Sequence, residues 1–99
     1  MNLEEFKKTL HNESPPENIN EELKALWYDR NDNWEKAHEI VQNLPSKNAA
    51  WVHAYLHRKE GDEANANYWY RRAQKEFSKL SLQNEWEEIV YFLLHEKNK

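Results

Sequence analysis

The chain contains no cysteine. That excludes disulfides and thiolate metal sites, and it fits a reducing compartment. One glycine and three prolines in 99 residues are too few turn formers for a β-sandwich or barrel, in which many tight turns join short strands. No apolar run approaches the ~20 residues that a membrane-spanning helix needs. The N-terminal "MNLEEFKKTLHNESPP" has acidic residues where a signal peptide carries an apolar core. The expectation is a cytoplasmic protein that does not engage a membrane. Basic excess is missing as well: 14 Lys and Arg stand against 18 Asp and Glu, a net charge of −4. Such a chain has no general attraction for nucleic acid or for an anionic bilayer.

What the chain does have is rings. Aromatic residues make up 13% of it, with five Trp and five Tyr, although 32% is charged. Disordered segments are poor in aromatics, so the composition describes a folded unit with a very polar exterior. Ninety-nine residues suit a single domain spanning 1–99, its core filled by a few large rings.

Helical spacing recurs from end to end. Asn2 and Glu5 form a capping box ahead of Leu3, Phe6 and Leu10, and Pro15-Pro16 ends that first helix. A second helix is expected from Asn20 to Asp29, with Leu23, Leu26 and Trp27 inward. Asp32 and Glu35 would cap a third, which carries Trp34, Ala37, Ile40, Val41 and Leu44. Pro45-Ser46 closes it and caps a fourth over Lys47 to Lys59. Gly61 suits the residue just past a helix end, where positive φ is needed. Asp62 then caps a fifth helix running to about Lys79, with Ala66, Tyr70, Ala73 and Phe77 on one face. Ser81 opens a sixth, marked by Leu82, Trp86, Ile89, Val90, Leu93 and Leu94. The fold class is all-α: about six short helices, antiparallel because their connections are short.

A shift of 29 residues lays the chain on itself. Ala25, Tyr28, Asp32, Ala37, Val41 and Leu44 fall on Ala54, His57, Gly61, Ala66, Tyr70 and Ala73. Small residues at these places let two helices approach, and bulky ones fill the space between successive hairpins. The segments "GDEANANYWYRRA" and "NDNWEKAHEIVQNL" resemble the second half of a tetratricopeptide repeat, over Ile19 to about Phe77. The period of 29 is shorter than that family's 34, its early tryptophan is replaced by Glu21 or Ala50, and Pro45 comes early. The run "HAYLHRKEGDEANANYWYRRA" is also similar to a group of uncharacterised helical proteins with an "EGD..NA.YWY.RA" core, a likeness that implies no activity. The repeat resemblance implies two hairpins, an N-terminal flanking helix and a C-terminal capping helix. It further implies an inner groove for a protein or peptide partner, lined by the first helix of each pair. Those positions are Glu22, Leu26, Asp29 and Arg30, then Asn48, Trp51, Tyr55, Arg58 and Lys59, with Trp51 and Tyr55 accessible and Tyr70 buried.

Two other constellations carry possible chemistry. His53 and His57 lie one helical turn apart, and Asp62 or Glu60 could join them around a metal. This supports an alternative reading, a metal- or small-ligand-binding domain of hydrolase-like kind, centred on His53, His57 and Asp62. The commoner role of such a pair is a hydrogen-bonded interior one, and no glutamate follows His53 to make a zinc-protease motif. Tyr68, Trp69, Arg71 and Arg72 would suit base stacking, but one turn of arginine in an acidic chain is no basic patch. Glu85, Glu87 and Glu88 flank Trp86 and read as a solvated face. With no phosphate loop, nucleophile elbow or dinucleotide fingerprint, neither a cofactor nor a catalytic residue is expected. The leading expectation is a non-enzymatic scaffold.

Overall fold

Each helix starts at a polar side chain that accepts a hydrogen bond from the backbone amide three residues on. In the computed structural model, which describes residues 1–96, these caps are Asn2, Asn20, Asn33, Ser46, Asp62 and Ser81. A cap of this kind is worth about 1 kcal/mol. They open α1 (Leu3–Thr9), α2 (Glu21–Arg30), α3 (Trp34–Val41), α4 (Lys47–Lys59), α5 (Glu63–Arg72) and α6 (Leu82–His95). Among the described residues there is no strand, and no helix is long and apolar enough to cross a membrane.

The helix ends repeat. Past α2, the Asn33 and Asp32 amides donate to the Tyr28 and Asp29 carbonyls at 2.9 and 3.1 Å. Past α4, 29 residues later, Asp62 and Gly61 donate to His57 and Arg58 at the same two distances. Both are Schellman caps, which need a left-handed residue, and Asp32 (φ 63) and Gly61 (φ 89) fill that place. Asp32 therefore ends α2, and the capping role expected of it belongs to Asn33.

A third such cap shortens α5. Gln74 has φ 58, and the Lys75 amide donates to the Tyr70 carbonyl at 2.9 Å. The helix stops at Arg72, where periodicity alone carried it to Lys79. Phe77 still reaches the core, its ring 5.0 Å from that of Tyr70, but from the non-helical segment that follows.

Short connections fold α2 on α3 and α4 on α5 as hairpins, and α3 packs on α4. Ala25, Ala37, Ala54 and Ala66, the small residues of the 29-residue register, are all fully buried. They allow the close helix approach that the register requires. Helix α6 crosses back over α4, α2 and α1 and buries Trp86, Ile89, Val90 and Leu93.

A Cβ on Gly61 would meet nothing within 4 Å, so any cost there is conformational. Gly61→Ala should lose about 1 kcal/mol in urea melts. Asp32→Gly should stay within about 0.5 kcal/mol of the parent, since relief at positive φ is offset by a freer unfolded chain. Ala66→Leu should cost about 1–3 kcal/mol by overpacking, whereas Ala64→Leu, on the exposed side of the same helix, should be nearly silent. Equal melts for the two alanine variants would contradict the hairpin packing.

Candidate functional site

The residues expected to line an inner groove do share one face, and α6 lies on it. Trp51 and Tyr55 are only 4% and 2% exposed, so the expectation that they are accessible is corrected. Tyr70 is buried, as expected. The Trp51 indole donates to Glu85 Oε2 at 3.2 Å, and its ring meets Phe92 edge-on at 5.7 Å. Arg58 donates to Glu85 Oε1 at 2.8 Å, and also to the Leu80 carbonyl. Asn48 donates to Glu96 at 2.7 Å, where α6 ends. The Leu26 carbonyl accepts from the Trp86 indole at 3.1 Å, and Arg30 stacks over the Trp86 ring at 4.5 Å. Tyr55 and Lys59 instead hold the buried Asp29, donating to its two oxygens at 2.9 and 2.8 Å. Glu22 accepts from the Ser46 hydroxyl.

Glu85 overturns the solvated-face reading of the α6 glutamates. It is fully buried and also accepts from the Tyr70 hydroxyl at 2.6 Å. The signal was present: Glu85 lies three residues after Leu82 and four before Ile89, on the apolar stripe. Glu87 and Glu88, by contrast, reach solvent, Glu87 pairing with Lys7 at 2.8 Å. Burial pushes the hydroxyls of Tyr55 and Tyr70 above the usual tyrosine range, with Asp29 and Glu85 adding to the effect. Both phenols thus remain donors.

The opposite side of α4 carries the other cluster. His53 and His57 are joined by His38 from α3, and one ring nitrogen of each lies within 4.8 Å of the others. His38 Nε2 and His53 Nε2 are 3.0 Å apart, sharing one proton according to tautomer. His53 and His57 stack at 4.9 Å. Two tryptophans wall the group: Trp69 stacks on His53 at 3.9 Å, and Trp34 stacks on His38 at 4.9 Å. The Trp34 indole is itself fixed by the Leu56 carbonyl at 2.8 Å. His57 Nδ1 faces Glu60 Oε2 at 2.7 Å, which leaves Nε2 as its free nitrogen.

The expected set of His53, His57 and Asp62 is revised accordingly. Asp62 groups with His57 and Glu60, while its carboxylate caps α5 through the Asn65 amide and side chain. Those two hydrogen bonds hold Asp62 below the usual carboxylate range. His38 was missed because a search for histidines one turn apart looks along one helix. The repeat register held the clue, since a residue next to the contact residue Ala37 borders the following hairpin.

Burial lowers the His53 pKa to about 3, with the neighbouring His38 and His57 adding to the effect. Burial likewise lowers His38, followed by repulsion from His57, against a smaller opposite pull from Glu60. His53 and His38 are therefore neutral near pH 7, the form in which imidazole binds a metal. His53 Nδ1 is buried and has no hydrogen-bond partner, although buried polar atoms are nearly always paired. With a neutral ring and one proton shared toward His38, one His53 nitrogen has nothing to bond.

No family model, curated protein or solved structure matches this chain.

Two measurements check this description. Glu85→Ala should cost about 3–5 kcal/mol in urea melts, because it strands the buried Trp51 and Tyr70 donors and the part-buried Arg58 guanidinium. Glu85→Gln, which keeps an acceptor, should cost less; a Glu85→Ala variant as stable as the parent would remove the buried network. The second concerns pH, in protein kept metal-free with EDTA. His53 is lowered from 6.5 to about 3 on folding, so its contribution is complete above about pH 6.5 and is lost as pH falls toward 3. The slope approaches about 1.4 kcal/mol per pH unit for one such group. His53→Gln should flatten the fall in stability between pH 6.5 and 4.

Proposed function

We propose that this chain is a metal-binding helical domain in which His38, His53 and His57 hold a late first-row divalent ion, Zn²⁺ above all. One observation carries the reading: three imidazole nitrogens from two different helices converge within 4.8 Å. Zinc–imidazole bonds of about 2.0–2.1 Å place two ligand nitrogens of a tetrahedral ion about 3.3 Å apart. The His38–His53 separation of 3.0 Å needs only a small opening to meet that. Three imidazoles with no thiolate suit Zn²⁺, Cu²⁺, Ni²⁺ or Co²⁺ and disfavour Mg²⁺ and Ca²⁺. The Glu60 carboxylate at His57 Nδ1 supplies the outer partner that metal-binding histidines ordinarily have.

A peptide bound to the inner face would compete with α6, whose contacts already use Asn48, Trp51 and Arg58. The metal reading requires no displacement. The tetratricopeptide-like hairpins would then act as the frame that brings α3 against α4.

Metal-stripped protein titrated with Zn²⁺ should take up one equivalent and melt higher, by about 2.7 kcal/mol when free ion reaches 100 times Kd. Cu²⁺ should quench tryptophan fluorescence through Trp34 and Trp69, the rings stacked on His38 and His53. Glu60→Gln should weaken binding about 10- to 100-fold, and His38→Ala by more. His11→Ala and His95→Ala, which alter exposed histidines outside the cluster, should leave it unchanged. A melting temperature indifferent to Zn²⁺ and to chelator, with no ion by elemental analysis, would refute the assignment.

A further inference from the structure

We infer that the ion held by His38, His53 and His57 keeps one coordination position open to solvent, where it takes water or a small anion. This rests on the metal-binding reading above and says what kind of centre it would be. Structural zinc sites are closed by four protein ligands, whereas reactive ones have three and leave the fourth place for an exogenous ligand. The question is whether this chain has a fourth donor to offer.

Among the described residues the cluster that contains His38 and His53 includes no further His, Asp or Glu, and the chain has no cysteine. The two nearest carboxylates are committed elsewhere. Glu60 bonds His57 Nδ1, the nitrogen on the far edge of the ring from Nε2. Asp62 is tied by both oxygens to Asn65. Both group with His57 alone and not with the other two histidines. An ion reached by His57 Nε2 therefore has these carboxylates behind a ligand rather than in its own shell.

The opening has a direction. His53 and His57 are buried, and His38 is half-buried. Trp69 closes the His53 side, and the indole of Trp34 is held in place against His38 by its bond to Leu56. The route left for an exogenous ligand would run beside the half-buried His38 ring, and it would be narrow because the imidazoles already lie 4.6 to 5.2 Å apart between centroids. Such a mouth admits water, hydroxide or a small anion. Apolar indole walls favour an anion that offsets the ion's charge, because electrostatic attraction is stronger where water is excluded.

Co²⁺ and azide test this on the full-length chain. Co²⁺-loaded protein should show the visible absorption of a four-coordinate ion, and azide should shift that spectrum to saturation. Glu60→Gln protein, loaded at higher Co²⁺, should keep the azide shift, and His38→Ala protein should lose Co²⁺ absorption at concentrations that saturate the parent. Stoichiometric Co²⁺ uptake with a spectrum that azide leaves unmoved would overturn the open position and leave metal binding standing. Failure to take up Co²⁺ or Zn²⁺ at all would overturn both.

Discussion

The carboxyl group of Glu85 is the point on which the helices meet. It stands on α6, yet its three donors come from α4 and α5: Trp51, Arg58 and Tyr70. A buried carboxylate forfeits several kcal/mol of hydration, and only good geometry with every lone pair engaged offsets that. The arrangement therefore tolerates one placement of α6 and penalises others strongly. A purely apolar helix could slide over the hairpins at little cost. This one is fixed in register by hydrogen bonds at both oxygens, and the Trp86 indole fixes it again at the Leu26 carbonyl on α2.

That constraint decides what each side of α4 does. Nine successive residues, Ala49 to His57, are buried, so α4 is covered all round. At 100° per residue, Trp51 and Tyr55 point away from His53 and His57. The first pair faces the layer organised by Glu85 and Asp29, while the second faces α3 and α5. The inner side is spent on holding α6, where Arg30, stacked over Trp86, keeps one buried guanidinium nitrogen without a partner, and on the outer side the unpaired atom is His53 Nδ1. The two faces are coupled through one rigid helix, and loosening α6 would loosen the backbone that carries two of the three histidines.

Much of this was legible in the residues. Five of six caps, the α4 boundaries and the positive φ at Gly61 follow from local chemistry, which sequence reports directly. The small residues at 29-residue spacing gave the hairpin contacts for the same reason: a helix can approach closely only where side chains are short. Some of the errors were local and the rest tertiary. Gln74 carries no mark of a left-handed residue, so α5 read as longer than it is. Glu85 read as solvated because charged residues seldom lie buried, and its donors are 15 to 34 positions away. The groove read as open because the sixth helix was expected as a C-terminal cap, and nothing in the register placed it over the inner face. His38 joined the cluster only when α3 and α4 were placed side by side.

The buried polar groups are not all satisfied alike. Asp29 has a donor at each oxygen, Tyr55 and Lys59, and Glu85 has three donors in all. Both are closed accounts of hydrogen bonding, which is what a group retained for register must be. The histidines differ. Neutral imidazoles can be buried without a counter-ion, so the fold does not need to satisfy them fully to survive, and it does not: His53 Nδ1 has no partner. A packing role alone would be met better by an apolar ring of similar size, which has no polar nitrogen to leave unbonded. The nitrogens that converge are a different set, His38 Nε2 and His53 Nε2 at 3.0 Å with one from His57. The metal proposal rests on that convergence from two helices, with Glu60 set on the outer nitrogen of the His57 ring. Among groups small enough to lie between three nitrogen lone pairs, a divalent transition-metal ion is the one proposed above.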